Sequence, residues 1–420
     1  MPEIKPFNGV IFNTRKVDIA KVVSPPYDVI PADLQESLYS IDEHNFVRLI
    51  LGKIFSDDSE QDNRYLRAKK TFQDWLSNDI LSQDSEPVFY VYEMEFVHKG
   101  EKRKFAGFVG LCKVEDYFTG SVKPHERTFR GPIQDRFKLI EASQTNFEPI
   151  YCIYFNKKIS SLLLAGKSEK VFEFDYDSVK HRLIRLSDKK IVSEISSEMR
   201  KTPLYIADGH HRYQTALEYS KYAREKLGSN AKEDLPSDFI MMLIADINNN
   251  SVLILPTHRI VKHLKVPLAE LIKKLENYFI VEEIGNFLRN AVGQLESYPD
   301  EHAFVMAING NFYLLRAKEN FLDFKDAEKS DAWNSLDVSI FDNLIMNKVL
   351  GMHSHDDKEV LYSRDASDAV KLAGKEGIAF LLNSTKLEDV MIIADNKEAM
   401  PHKSTFFYPK PLSGLVVYKY

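Results

Sequence analysis

Cysteine is scarce in this sequence, with only Cys112 and Cys152 among 420 residues. Two thiols are too few for a disulfide framework or for a zinc site with four cysteine ligands, so we expect two buried free thiols. Long hydrophobic runs are also lacking: no stretch approaches eighteen consecutive apolar residues, and the first residues form no apolar targeting segment. These absences predict a cytoplasmic protein with no membrane partner.

A basic excess is lacking as well. The chain has 62 acidic residues against 56 lysines and arginines, which gives a net charge of −6. Proteins that bind nucleic acids through their phosphates need a basic face, so this balance argues against a nucleic-acid partner but permits a small basic pocket. A chain of 420 residues is too long for one core, so we expect two or more packed units.

Three pairs of strand-like segments, each pair separated by a turn signal, predict β-hairpins, and the first pair also alternates. The pairs are 88–96 with 104–113, 239–247 with 251–255, and 304–308 with 312–316. Because hairpins outnumber strand–helix–strand patterns, we predict an α+β fold rather than a doubly wound sheet. We expect three consecutive parts, namely an N-terminal α+β part at 1–120, a core carrying the motifs at 121–260 and a C-terminal α+β part at 261–420.

The strongest local signal is Asp-Gly-His-His-Arg at 208–212, which separates a short apolar run from residues at helical spacing. This pattern predicts a strand-to-helix turn, where a glycine lets the backbone approach a ligand and the helix start attracts an anion. Asp208 would ligate Mg²⁺ or orient a hydroxyl. The residues predicted to bind phosphate are Gly209, His210, His211 and Arg212. The alternative is an N-cap aspartate with surface histidines, but cationic residues are unfavourable in a first helical turn and so favour a site.

Several weaker patterns accompany this turn. Glu126, in His-Glu-Arg-Thr at 125–128, is flanked by cations and suits a general base, although a loop ion-pair cluster explains it equally well. Pro25 and Pro26 fix an extended segment that either presents Tyr27 and Asp28 or forms a plain corner.

Two more segments carry polar groups that a ligand would suit. A donor-rich strand tip is formed by Thr257, His258 and Arg259, although alone it favours an ordinary loop start. The aromatic segment around Lys403, Ser404 and Thr405 is expected to dock onto the fold despite its place near the terminus.

Two patterns are discounted as decoys. Residues 161–168 end like a phosphate-binding P-loop, but Ser161 stands where the first glycine is required. Residues 353–357, which include His353 and His355, resemble a metal cluster, although such polar runs are more often simply solvated.

Together the motifs resemble the family known as domain of unknown function 1015. The matching stretches are 5–7, 25–29, 45–49, 124–128, 206–213, 255–259, 400–405, 408–410 and 414–415. The turn at 208–212 is also similar to the nucleotide-phosphate motif of the ParB/sulfiredoxin-like fold, which includes free-serine kinases.

The resemblance implies a ParB/sulfiredoxin-like nucleotide-binding core with antiparallel hairpins and additional α+β parts. It implies a kinase that uses Mg²⁺ and ATP (or ADP) to convert free L-serine into O-phospho-L-serine, for cysteine or siderophore synthesis. By motif, Glu126 is the base, Asp208 assists and ligates the metal, and Thr257, His258 and Arg259 bind the amino acid.

Two other functions remain in view. One is a ParB-like nucleotide-binding switch or nucleotidase without a metabolite acceptor, and the other is an interaction scaffold. Peroxiredoxin repair is excluded by the resemblance, because His210 stands where sulfiredoxins have a cysteine.

Overall fold

The computed structural model describes residues 1–117, 120–166, 168–247, 252–319, 325–352 and 359–420. The chain separates into two compact units. The first contains Met1–Pro124, Thr128–Val252 and Pro409–Tyr420, and the second contains His125–Arg127 and Leu253–Tyr408. These boundaries differ from the three consecutive parts expected from the sequence, because the chain enters the second unit twice and its last residues return to the first. None of the described helices has the length and apolarity needed to cross a bilayer.

The elements of both units are numbered along the chain. The described strands are β1 (Ile4–Lys5), β2 (Val10–Phe12), β3 (Leu81–Gln83), β4 (Phe89–His98), β5 (Glu101–Lys113), β6 (Val122–Lys123), β7 (Thr145–Asn146), β8 (Ile150–Tyr154), β9 (Ser168–Tyr176), β10 (Val179–Leu186), β11 (Leu204–Asp208), β12 (Phe239–Asp246), β13 (Leu253–Ile254), β14 (His258–Val261), β15 (Phe279–Glu283), β16 (Ala303–Ile308), β17 (Asn311–Ala317), β18 (Val360–Ser363), β19 (Ile378–Leu382), β20 (Phe407–Tyr408) and β21 (Tyr418–Lys419). The described α-helices are α1 (Ile19–Val22), α2 (Ala32–Ile41), α3 (Val47–Ile50), α4 (Arg64–Ser77), α5 (Arg130–Ser143), α6 (Lys157–Ala165), α7 (Lys189–Met199), α8 (His210–Leu227), α9 (Leu268–Leu275), α10 (Leu288–Glu296), α11 (Asp331–Asn334), α12 (Asp337–Ile340), α13 (Ala366–Ala373) and α14 (Leu387–Asp395). A π-helix covers Phe341–Leu350.

A nine-stranded sheet forms the centre of the first unit. Eight strands follow in the order β6-β11-β8-β12-β5-β4-β10-β9, and β1 pairs with β5. The predicted hairpin of β4 and β5 is confirmed: Lys99 and Gly100 form its turn with φ of 50° and 82°, the left-handed values that a two-residue hairpin turn requires. Both cysteines are buried free thiols, as expected.

The second predicted hairpin is wrong. β12 pairs with β5 on one side and with β8 on the other, so neither of its edges is left for residues 251–255. β13 instead pairs with β20. Residues 248–250, which suggested the turn, lie outside the described part of the chain. The apolar run at 239–247 correctly predicts a strand, but the choice of its partner depends on the whole sheet.

A six-stranded sheet forms the centre of the second unit. Its order is β15-β17-β16-β19-β14-β18, and every neighbouring pair in it is antiparallel. The predicted hairpin of β16 and β17 is confirmed, with Asn309 and Gly310 at φ of 52° and 80°. Helices α10 and α13 contribute Leu295 and Ala369 to the core on this sheet.

The α+β prediction is confirmed by these mixed, mainly antiparallel sheets and their covering helices. In the first unit the only parallel pairs among the described strands are β11 with β6 and β12 with β8. The ParB/sulfiredoxin-like assignment of the core stays a prediction.

Candidate functional site

The motif at 208–212 forms the strand-to-helix turn that the sequence predicts. β11 ends at Asp208 and α8 begins at His210, so Gly209 alone makes the turn. Gly209 has φ of 95°, and a Cβ there would lie 3.0 Å from Nε of Arg212. Both the left-handed backbone and the close guanidinium therefore require glycine at this position.

Asp208 is held by cations on both of its oxygens. Nη2 of Arg212 donates to Oδ2 at 2.7 Å, and Nζ of Lys410 donates to Oδ1. Nη1 of Arg212 donates to the carbonyl of Pro149, which fixes the guanidinium. The Asp208 and Lys410 side chains are each 15% exposed, and Arg212 is buried. Charge-assisted bonds on separate oxygens orient the Asp208 carboxylate rigidly at the start of α8.

Lys410 comes from the terminal segment that returns to the first unit. Ser413 bridges to Ser24 and Val417 to Val10, and β21 pairs with β7. The Ser413 hydroxyl also donates to Glu148 at 2.8 Å. These contacts fix the backbone that carries Lys410.

Glu148 is a buried carboxylate of the same cluster that the sequence analysis missed. Its Oε1 accepts the backbone N–H of Tyr27 at 3.1 Å, and Nη1 of Arg136 lies 3.7 Å from its Oε2. The Arg136 guanidinium also lies 4.0 Å from the centre of the Tyr27 ring. The corner at Pro25 and Pro26 is therefore fixed by contacts of Tyr27 with Glu148 and Arg136, in addition to the conformational restriction by the prolines.

A small cavity of about 20 Å³ is lined by Arg136, Glu148 and Arg212, among others. That volume admits a single water molecule. Burial lowers the pKa of the Arg212 guanidinium, but the nearby carboxylates of Glu148, Asp208 and Asp28 outweigh it and raise the pKa overall. Arg212 is thus a permanent cation in this cluster.

Asp28 completes the anionic side of the cluster. Burial of its carboxyl and then the charge of Asp208 raise the pKa of Asp28 to about 6, against the opposing effect of Arg212 and Lys410. Part of the residue also faces solvent, and water screens part of this shift. The Asp28 carboxyl thus contacts both protein and solvent, as a residue at the surface of a binding site does.

The two histidines have different environments. His210 is buried, and its carbonyl accepts the Tyr117 hydroxyl at 3.4 Å. His211 accepts the backbone N–H of Phe129 on Nε2 at 3.0 Å and stacks on the Phe129 ring, with centroids 5.9 Å apart. Phosphate binding by Gly209, His210, His211 and Arg212 stays a prediction.

Glu126 belongs to the second unit. The preceding His125 places its Nε2 3.1 Å from Oγ1 of Thr405, and its carbonyl accepts the N–H of Met400 at 2.8 Å. The expected docking of the segment around 403–405 is therefore confirmed. These contacts fix the backbone next to Glu126, whose side chain is half-buried. The role of Glu126 as a base stays a prediction.

Thr257, His258 and Arg259 are all buried within the second unit. Nδ1 of His258 accepts the N–H of Leu382 at 3.2 Å, and burial followed by the charge of Arg259 lowers the pKa of His258 to about 4. Arg259 donates to the Thr257 carbonyl and lies 5.7 Å from the Phe341 ring. These internal contacts account for the burial, and amino-acid binding by the three residues stays a prediction.

No group of three or more metal-ligating side chains occurs in the described ranges. The run at 353–357 lies outside them. Mg²⁺ commonly binds through one or two carboxylates together with nucleotide phosphates, rather than in a protein cage. Asp208 and Asp28, whose charges interact, offer oxygens of that kind.

Comparison with known proteins identifies the family. No curated protein sequence matches the chain significantly. A free serine kinase in complex with AMP is 15% identical, with 68% of this chain and 83% of that chain covered and a TM-score of 0.32. A conserved hypothetical protein from Pyrococcus furiosus is 15% identical, with 68% and 87% covered and a TM-score of 0.32. SbnI with a C-terminal truncation, from Staphylococcus aureus, is 12% identical, with 72% and 85% covered and a TM-score of 0.34.

Likenesses with TM-scores this low carry no argument about fold or activity. The family model described as "Protein of unknown function (DUF1015)" matches residues 4–339, well over half of the chain. The chain therefore belongs to the DUF1015 family.

Proposed function

We propose that this protein is a kinase that transfers a phosphoryl group from ATP (or ADP) to the hydroxyl of free L-serine. The observation that carries the proposal is the turn at Asp208. It combines an oriented carboxylate, two cations and a helix start, and Gly209 has no side chain to cap that helix. Phosphoryl transfer needs mainly positioning and stabilisation of charge, and groups of these kinds supply both.

The donor nucleotide would place its phosphates at the N-terminus of α8, where the helix dipole favours an anion. Asp208 and Asp28 would hold Mg²⁺, which would supply positive charge beside the phosphates. Two carboxylates near the phosphates would otherwise repel them, so their presence fits a nucleotide that arrives with its metal.

The acceptor roles follow from the family resemblance. Glu126 would take the proton of the serine hydroxyl as the new O–P bond forms and the bond to the donor breaks. Asp208 would orient that hydroxyl. Thr257, His258 and Arg259 would bind the amino acid. The products are O-phospho-L-serine and the shortened nucleotide, as expected for an enzyme of cytoplasmic cysteine biosynthesis.

The test is to incubate the full chain with Mg²⁺ and ATP, or separately ADP, and a pool of free amino acids, and to identify phosphorylated products by mass spectrometry. We expect phosphoserine. Glu126→Gln and Asp208→Asn should each lower turnover by about a hundredfold or more, since one such transition-state contact is worth roughly 2.7–4 kcal/mol. Glu270→Gln, which changes an exposed glutamate paired with Lys274 in the second unit, is the matched control and should keep full turnover.

Other outcomes favour other functions. Consumption of nucleotide without a phosphorylated amino acid would favour the switch or nucleotidase. Absence of nucleotide binding would favour the scaffold. Full activity in both Glu126→Gln and Asp208→Asn would remove their assigned roles.

A further inference from the structure

Lys410 is one of the two cations of the turn, and the function proposed above gives it no individual task. It lies beyond the span 4–339 that the family model matches, and 202 residues along the chain from Asp208. Yet its ammonium contacts Oδ1 of Asp208, and its side chain is 15% exposed. The contact of a lysine so distant in sequence with the aspartate just before α8 suggests a specific role for its ammonium group.

Orienting Asp208 does not require Lys410. Oδ2 of Asp208 is already bound by Arg212, whose other amino group is fixed on the Pro149 carbonyl. The Arg212 Nε has no hydrogen-bond acceptor in the described part of the chain and lies beneath Gly209. The guanidinium is thus locked in place, and Arg212 serves to position Asp208.

Lys410 differs from Arg212 in its freedom to change partner. Its ammonium has three donors on a flexible four-carbon chain, whereas a guanidinium offers a rigid planar fork. Its backbone is fixed by the bridge of Ser413 to Ser24 and by the pairing of β21 with β7, so only the side chain has to move. Part of the side chain is open to solvent. The fixed backbone therefore carries a cationic side chain that can change its hydrogen-bond partner.

We propose that Lys410 binds a distal phosphate of the nucleotide, turning its ammonium from Asp208 to a β- or γ-phosphate oxygen while Arg212 keeps Asp208 in place. This inference rests on the proposed function, because it requires a nucleotide at the turn. It assigns the terminal segment a direct part in the site: residues 409–420 deliver the cation that distinguishes a di- or triphosphate from a monophosphate.

The test compares nucleotides of increasing phosphate number. Affinities of the full chain for AMP, ADP and ATP are measured by isothermal titration calorimetry in Mg²⁺, for the wild type, Lys410→Gln and Lys410→Arg. Lys410→Gln should weaken ATP binding by about 10- to 100-fold, as expected for one charge-assisted hydrogen bond, and leave AMP binding within about twofold. Lys410→Arg keeps the charge and should recover part of the ATP affinity.

Lys113→Gln is the matched control, because Lys113 forms a 2.7 Å pair with Asp234 in the same unit, away from the turn. It should change no affinity. An equal loss of AMP and ATP binding in Lys410→Gln would show a merely structural lysine and overturn the inference, as would an unchanged profile. If Lys410→Gln fails to fold, Lys410→Arg decides the question, because altered ATP but unaltered AMP affinity still requires a phosphate contact.

Failure of the inference and failure of the kinase proposal are distinguishable. The expected affinity profile without any phosphoserine would refute the kinase and leave Lys410 as a phosphate-binding residue. Phosphoserine formation with a profile insensitive to Lys410→Gln would refute Lys410 alone. A wild type that binds no nucleotide would overturn both.

Discussion

Replacing Arg212 with methionine should strongly destabilise the first unit. The substitution keeps much of the aliphatic volume but removes the hydrogen bonds to Pro149 and Asp208 and the cation beside Glu148. Removing one partner of a buried ion pair typically costs about 3–5 kcal/mol, because the remaining charge stays buried without compensation. Lys410 still contacts Asp208, and Arg136 still lies 3.7 Å from Glu148, so we expect the lower end, about 3 kcal/mol.

Native-state hydrogen exchange with mass spectrometry is the suitable assay, because a chain with two units need not unfold in one cooperative step. Peptides from β11 and α8 report opening of the first unit. A loss of about 3 kcal/mol corresponds to exchange roughly a hundredfold faster, since 1.4 kcal/mol is a factor of ten.

Arg182→Met is the matched control. Arg182 also binds two carboxylates in the first unit, Glu93 at 2.8 Å and Glu173 at 2.6 Å, but its side chain is 28% exposed. Ion pairs near solvent are worth roughly 0–1 kcal/mol each, so loss of both should accelerate exchange by about thirtyfold at most. If Arg212→Met accelerates exchange no more than Arg182→Met does, Arg212 is not an essential buried counter-charge and our account of the cluster is wrong.

Two further predictions concern the same turn. Gly209→Ala should destabilise the first unit by more than Gly100→Ala: both positions have positive φ, which costs roughly 1–2 kcal/mol for alanine, but only at Gly209 does the new methyl also meet Arg212. If both variants lower the melting temperature equally, the methyl group at position 209 does not collide with Arg212 and this prediction is wrong. Asp28→Asn should be more stable than the wild type at pH 7 and equal to it near pH 3. The pKa of Asp28 is raised from 3.8 to about 6 in the folded state, so the proton that favours folding is bound below the unfolded pKa and lost as pH rises through 6. Melting curves across this range check the sign, and a variant less stable at pH 7 would refute it.

Local sequence determined the features that depend on neighbouring residues alone. The turns at Lys99-Gly100 and Asn309-Gly310 follow from backbone conformations that glycine and asparagine tolerate. The turn at Gly209 follows from the same property, combined with a periodicity that changes from strand to helix. These short-range constraints are sufficient to predict an α+β fold and the place of the candidate site.

Only the tertiary structure decided which distant residues surround that site. The apolar run of β12 predicts a strand, but its pairing with β5 and β8 depends on every other strand competing for those edges. Likewise, nothing near Glu148 or Lys410 in the sequence indicates that either lies in the cluster around Asp208. Lys410 reaches Asp208 across 202 residues because the terminal segment packs back into the first unit. The sequence therefore determined the turn, and the packing of the whole chain determined the charges around it.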